Sequence, residues 1–158
     1  MKKITIGFSK SIINFPVWSW LIRWYLKTPY SHVFIKFYSE NIERELIYES
    51  VGKQGVRFIN KSNWEKKSKL VKEYKIEIND DNYKKILQWC IDNSGEEYAL
   101  YQNIGVVISD ILKLNKNPAK KGMNCSEAIY YILKLEGYKI DKEPNLITPK
   151  DIDELLSR

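Results

Sequence analysis

Gly122-Met123-Asn124-Cys125-Ser126-Glu127-Ala128-Ile129-Tyr130 reads as a loop that turns into a helix, with a cysteine at the first helical position. Asn124 suits the N-cap, because its side-chain oxygen can accept from a first-turn N–H that has no partner within the helix. Glu127 stands three residues on, the spacing at which a carboxylate reaches back to the N–H of the cap. Ile129, Ile132, Leu133 and Leu135 then fall mostly on one side, and Gly137 is placed to end the helix. Cys125 therefore sits where free N–H groups and the positive end of the helix dipole favour an anion. That environment lowers a thiol pKa and produces a nucleophile. The competing reading is a small apolar side chain buried under a helix, since free cysteine is among the most buried residue types.

A nucleophilic thiol needs a base, and His32 is the only histidine in the chain. It opens Ser31-His32-Val33-Phe34-Ile35-Lys36-Phe37-Tyr38, a strand by residue type. A second strand, Glu43-Arg44-Glu45-Leu46-Ile47-Tyr48-Glu49-Ser50, follows a short polar turn. With Glu40-Asn41 at the turn centre, Lys36 lies opposite Glu45 and His32 opposite Glu49, while Val33, Ile35, Leu46 and Tyr48 share a face. A one-residue slip would destroy both pairings. Thiol, imidazole and carboxylate are the three parts of an activated cysteine: the imidazole takes the thiol proton and the acid steadies the imidazolium. A lone histidine can equally be a structural residue.

The bulk properties are compatible with this chemistry without requiring it. A chain of 158 residues with 44% hydrophobic content can build one cored domain, expected over 1–158. Two cysteines, Cys90 and Cys125, are too few for a disulfide framework, and Cys90 lies in an apolar helical pattern. With no apolar run of spanning length and no signal-peptide pattern, the expectation is a reduced, cytoplasmic protein. The charge of +6 allows attraction to phosphate, anionic lipid or acidic polymers. No zinc-ligand spacing, glycine-rich phosphate loop or nucleic-acid motif accompanies it, so neither a metal nor a nucleic-acid partner is expected.

Around these segments the pattern alternates between strands and helices. Residues 3–8 read as a strand, and Pro16 suits the start of a helix through Leu26. That helix carries Trp18, Trp20 and Trp24 and is apolar almost all round. Three readings remain open for it: burial on more than one side, a wall of a substrate cleft with Trp18 and Trp24 as binding residues, or a surface dipping into a lipid interface. Residues 55–59 form a third strand, and Ser62 to Glu65 resembles a capping box opening a short helix. Residues 70–78 form another strand. Asn79 or Asp80 caps a helix with Tyr83, Ile86, Leu87, Cys90 and Ile91 inward and Gly95 as its stop. An apolar helix is expected at about 102–114, then a lysine-bearing loop over 115–122 of the kind that borders sites. Thr148-Pro149-Lys150-Asp151 caps a last helix.

With His32, Glu49 and Cys125 placed, the chain resembles the circularly permuted branch of the NlpC/P60 superfamily of papain-like thiol hydrolases. Tyr30-Ser31-His32-Val33-Phe34-Ile35, Ile47-Tyr48-Glu49-Ser50 with Gly55-Val56-Arg57, Asn124-Cys125-Ser126-Glu127 and Thr148-Pro149-Lys150-Asp151-Ile152 carry the resemblance. In that branch the histidine strand precedes the cysteine helix, as it does here. The resemblance implies an α+β, permuted papain-like fold, in which a small antiparallel sheet packs against the cysteine-bearing helix. It implies Cys125 as nucleophile, His32 as base, Glu49 as third polar residue, and no cofactor. Tyr98 resembles the tyrosine that often precedes the helix beside such sites, which makes it, with Asn124 next to the nucleophile, a candidate substrate-binding residue. Phe34 stands where a small residue often follows the His-Val pair, so the cleft is expected to be narrower or differently lined.

The expected function is therefore a cysteine hydrolase or acyltransferase acting on an amide, ester or thioester. Its substrate would be a cell-wall peptide or a lipid or acyl conjugate, with an anionic membrane surface as a further partner. The alternative is a non-catalytic binding module, in which Cys125 and His32 are structural and the aromatic helix meets a partner or a membrane.

Overall fold

A computed structural model gives an α+β fold. It describes residues 1–12, 17–97 and 122–158, with the side chains of Trp18 and Lys53 left out. The helix expected at 102–114, most of the loop after it, and Tyr98 lie outside the described residues. In chain order the elements are β1 (Lys2–Ser11), α1 (Val17–Leu26), β2 (His32–Ser39), β3 (Arg44–Val51), β4 (Gly55–Asn60), α2 (Lys61–Glu65), β5 (Ser68–Ile78), α3 (Asp80–Asp92), α4 (Cys125–Leu135) and α5 (Pro149–Leu156).

The five strands form one antiparallel sheet in the order β4-β3-β2-β1-β5. Side chains alternate across a strand, so each strand contributes to two layers. Ile4, Ile6 and Phe8 of β1, Val33, Ile35 and Phe37 of β2 and Tyr48 of β3 make the main core face. Ile86 and Cys90 of α3, Ala128, Ile129, Ile132 and Leu133 of α4 and Ile152 of α5 cover it. Each buried Ile, Leu or Val side chain contributes about 1.5–3 kcal/mol by leaving water. On the opposite face Phe34, Ile47 and Trp64 form a smaller cluster. The tip of the Phe34 ring covers Gly7, where an added Cβ would meet it at 2.2 Å, and the ring centroid sits 4.6 Å from that of Trp64. The bulky residue after the His-Val pair thus fills this second layer.

The β2–β3 register differs from the expected one by two residues. Ser39 pairs with Arg44 and Ile35 with Tyr48, so Lys36 faces Ile47 and not Glu45. The cause is the connection: Glu40–Ile42 form a 3-10 turn closed by Glu43 in the left-handed region at φ 49°. The loop is thus four residues long, where the expected register requires two. A shift of two preserves parity, so every side chain keeps its face. Lys36 still reaches Glu45 diagonally at 3.2 Å, within the span of a diagonal cross-strand pair.

Three smaller expectations also change. The cap of α2 is Asn60, which accepts from the Asn63 N–H, so the helix starts before Ser62. Ile91 is exposed, because the inward face of α3 is set by Ile86 and Cys90. The aromatic helix α1 is not buried on more than one side, since Trp20 and Trp24 are exposed. At the other end of the chain, the capping box of Thr148 and Asp151 is fully formed.

Candidate active site

The site is built where the sheet opens. The β2–β3 ladder ends at Ile35↔Tyr48, and the N-terminal end of β2, Val33 and His32, pairs with β1 alone. The start of α4 meets this end of the sheet. Asn124 caps the helix, its Oδ1 accepting from the Glu127 N–H at 2.9 Å. Ser50 of β3 donates its hydroxyl to the Met123 carbonyl at 2.6 Å and so fixes the approach to the cap. Cys125 is 6% exposed, and its sulfur accepts a hydrogen bond from the backbone N–H of Val33. The Ser126 hydroxyl stands 3.9 Å from the same sulfur.

His32 lies between that sulfur and Glu49. Its Nε2 is 3.2 Å from Glu49 Oε2, and the ring also interacts with the Cys125 thiol. Because of the register shift His32 and Glu49 are diagonal and not opposed, yet they share the face that the expected register gave them. Glu49 is 3% exposed, and both of its oxygens are occupied. Oε2 also accepts from Trp64 Nε1 at 3.1 Å, and Oε1 accepts from Arg57 Nη2 at 2.8 Å and Nε at 3.2 Å. A buried carboxylate so fully satisfied stays ionised and rigid.

The electrostatics follow from this packing. Burial by itself would push the Cys125 thiol pKa up, but the adjoining His32 imidazolium, the Val33 N–H and the Ser126 hydroxyl together hold it below the ordinary value. Burial would likewise lower the His32 pKa, and the Cys125 thiolate and Glu49 outweigh it, raising it to about 10. Glu49 is held below the usual carboxylate range, since His32 and Arg57 overcome its own desolvation. The arrangement therefore favours a thiolate–imidazolium pair backed by a carboxylate. Cys90 offers the contrast. It is fully buried in the core with nothing to oppose desolvation, so its thiol pKa is pushed well up.

Sulfur, imidazole and carboxylate thus stand in a row, contributed by α4, β2 and β3. The chain matches no family model, no curated protein and no solved structure. What the site can do therefore rests on its own geometry. Among the described residues no group of three or more His, Cys, Asp or Glu side chains is arranged to hold a metal ion.

The expected substrate-binding residues fare differently. Asn124 is 2% exposed, and its side chain is committed to capping α4, so it shapes the loop and presents little surface to a substrate. Trp24 is 69% exposed and stacks on Trp20. Trp18 belongs to α1, whose exposed face is described below, and Tyr98 falls outside the described residues.

Sequence reasoning missed Arg57, Trp64, Ser50 and Ser9. Arg57 was within reach, since it pairs directly with Glu49 in the β3–β4 ladder. Trp64 arrives from α2 with no sequence signal that its indole N–H meets Glu49. Ser9 pairs with His32, and its buried hydroxyl has no hydrogen-bond partner among the described residues.

Proposed function

We propose that this chain is a cysteine hydrolase or acyltransferase of the permuted papain-like, NlpC/P60 type. One observation carries the reading: the only histidine bridges a helix-start thiol and a buried carboxylate. The order of the parts along the chain, histidine strand first and cysteine helix later, supports the permuted type.

The Cys125 thiolate attacks a carbonyl carbon of an amide, ester or thioester. The carbonyl π electrons move to oxygen, and the Cys125 N–H, free of any partner within the helix, is a natural donor to that oxyanion. His32 then gives its proton to the departing nitrogen, oxygen or sulfur as the bond to it breaks, leaving a thioester on Cys125. Water or another acceptor attacks the thioester, His32 takes its proton, and the thiolate leaves. Glu49 touches no reacting atom; it orients the ring and stabilises its positive form. Two substrate classes fit, a cell-wall peptide or a lipid or acyl conjugate.

The rival reading, a binding module, draws on the 6% exposure of Cys125 and requires a thiol that reagents do not reach. Alkylation by iodoacetamide at neutral pH, with peptide mass spectrometry, separates the two. Label is expected on Cys125, to be lost in Cys125→Ala and kept in Cys90→Ala. Equal labelling of the two variants, or none in the parent, would defeat the enzyme reading. A screen of amide, ester and thioester substrates then assigns the bond.

A further inference from the structure

The charge of this protein is unevenly placed. Residues 1–39 hold six Lys and Arg and no Asp or Glu. With 26 basic and 20 acidic residues in all, the remainder holds 20 of each, so the whole charge of +6 belongs to this segment. Charge asymmetry of this kind marks contact with an anionic surface. Three of the six cations are neutralised, Lys2 by Glu40, Lys3 by Glu77, and Lys36 by Glu45 and Glu73. Arg23 and Lys27 have no acidic partner among the described residues, and Arg23 Nε instead donates to the Ser19 carbonyl at 3.2 Å.

These two cations lie on and just beyond α1, which also carries an exposed apolar stripe. Val17, Trp20 and Trp24 are 46%, 55% and 69% exposed. Their spacing of i, i+3, i+7 puts them on one face. The two indoles stack with centroids 6.4 Å apart and planes 15° from parallel. The opposite side is anchored: Ser19 is buried, and its hydroxyl lies 2.5 Å from that of Ser31, next to His32. The stripe is therefore a fixed surface. Lys27, at its end, also borders a cavity of about 480 Å³ with Lys72 and Lys150. The two carboxylates there, Asp153 and Glu154, already pair with Lys72 and Lys150, so Lys27 supplies the uncompensated charge.

We propose that this face of α1 docks on an anionic phospholipid bilayer. The two indoles enter the boundary between headgroups and acyl chains, where an apolar ring with one polar N–H is best satisfied. Arg23 and Lys27 meet anionic headgroups, and the cavity beside Lys27 has room for one. At ten residues, α1 lies along the surface and does not span. A basic side chain close to such a surface strengthens partition about fivefold, and salt screens the gain. The inference is independent of the chemistry at Cys125.

The test is co-sedimentation of the full chain with phosphatidylcholine vesicles, with and without phosphatidylserine, alongside tryptophan emission. Binding is expected to be at least about tenfold tighter on the anionic vesicles and to weaken as salt rises. The double variant Trp20→Ala/Trp24→Ala should lose about tenfold or more of that binding. Arg23→Gln/Lys27→Gln should lose about 25-fold. Trp20, Trp24 and Lys27 are exposed and Arg23 is half-buried, and an unchanged urea midpoint would show that the fold is intact. Cys125→Ala should bind vesicles like the parent, which keeps this result separate from the thiol assay. Equal binding to both kinds of vesicle, no binding to either, or a tryptophan double variant that binds like the parent would overturn the proposal.

Discussion

Glu49→Gln keeps the shape of a buried side chain and removes its charge. Glu49 Oε2 accepts from His32 and Trp64, and Oε1 from Arg57, so donors surround both oxygens. Glutamine has one oxygen and one NH2 group. Either orientation sets an NH2 against a donor. With the NH2 toward His32 the loss is one hydrogen bond to a charged group, worth about 1.5–3 kcal/mol; with the NH2 toward Arg57 His32 keeps its bond, but to a neutral oxygen, and loses the charge. The unscreened attraction of two charges 3.2 Å apart, about 5 kcal/mol at an effective dielectric of about 20, is an upper bound. At about 1.4 kcal/mol per pH unit, the His32 pKa should fall by about one to two units from its raised value. His32 is the only histidine, so its ring resonances in an NMR titration are unambiguous. The parent should titrate near pH 10 and the variant lower. Identical titrations in parent and variant, or a parent that titrates at the ordinary histidine pH, would refute the reasoning. The broken pair also costs stability, toward the lower end of about 3–5 kcal/mol, because the Arg57 side chain is 25% exposed and can turn to water. The titration is therefore read only where a urea curve shows the variant folded.

On the proposed chemistry, a thiolate–imidazolium pair would make two pH profiles differ. Alkylation of Cys125 should show only an acid limb, set below the ordinary thiol pKa as the thiolate is protonated, whereas turnover should also fall on the alkaline side as His32 loses its proton near pH 10; coincident profiles would contradict the pair. Gly7→Ala places a Cβ 2.2 Å from Phe34 Cζ and should cost about 1–3 kcal/mol in urea unfolding; an unchanged midpoint would mean that the ring moves freely. Asn124→Ala removes the cap of α4 and should cost about 1 kcal/mol by the same measurement, with a slower alkylation of Cys125 as the first turn loosens.

Local patterns were read where one stretch of chain sets the outcome. Asn124 as cap, Cys125 at the first helical position, Gly137 beyond the end and the Thr148–Asp151 box all depend on neighbours within a few residues. The β2–β3 register was off by two because the turn includes Glu43 in the left-handed region, a conformation uncommon outside glycine and asparagine that its sequence does not announce. The pairing of His32 with Glu49 survived that error because parity decides the face. The exposure of Trp20 and Trp24 was not legible, because an apolar helix reads alike whether it faces a core, a cleft or solvent.

The sequence by itself determined which residues could do chemistry: one imidazole, a thiol at a helix start, a carboxylate on the strand after the histidine, and the order in which they come. Only the tertiary structure decided that sulfur and ring meet where β2 and β3 part. It also decided that Arg57 and Trp64 hold Glu49 ionised while Cys90 lies inert in the core. Those outcomes turn on contacts between residues far apart in the chain, and desolvation and charge pairing act on distances in space that spacing along the chain does not encode.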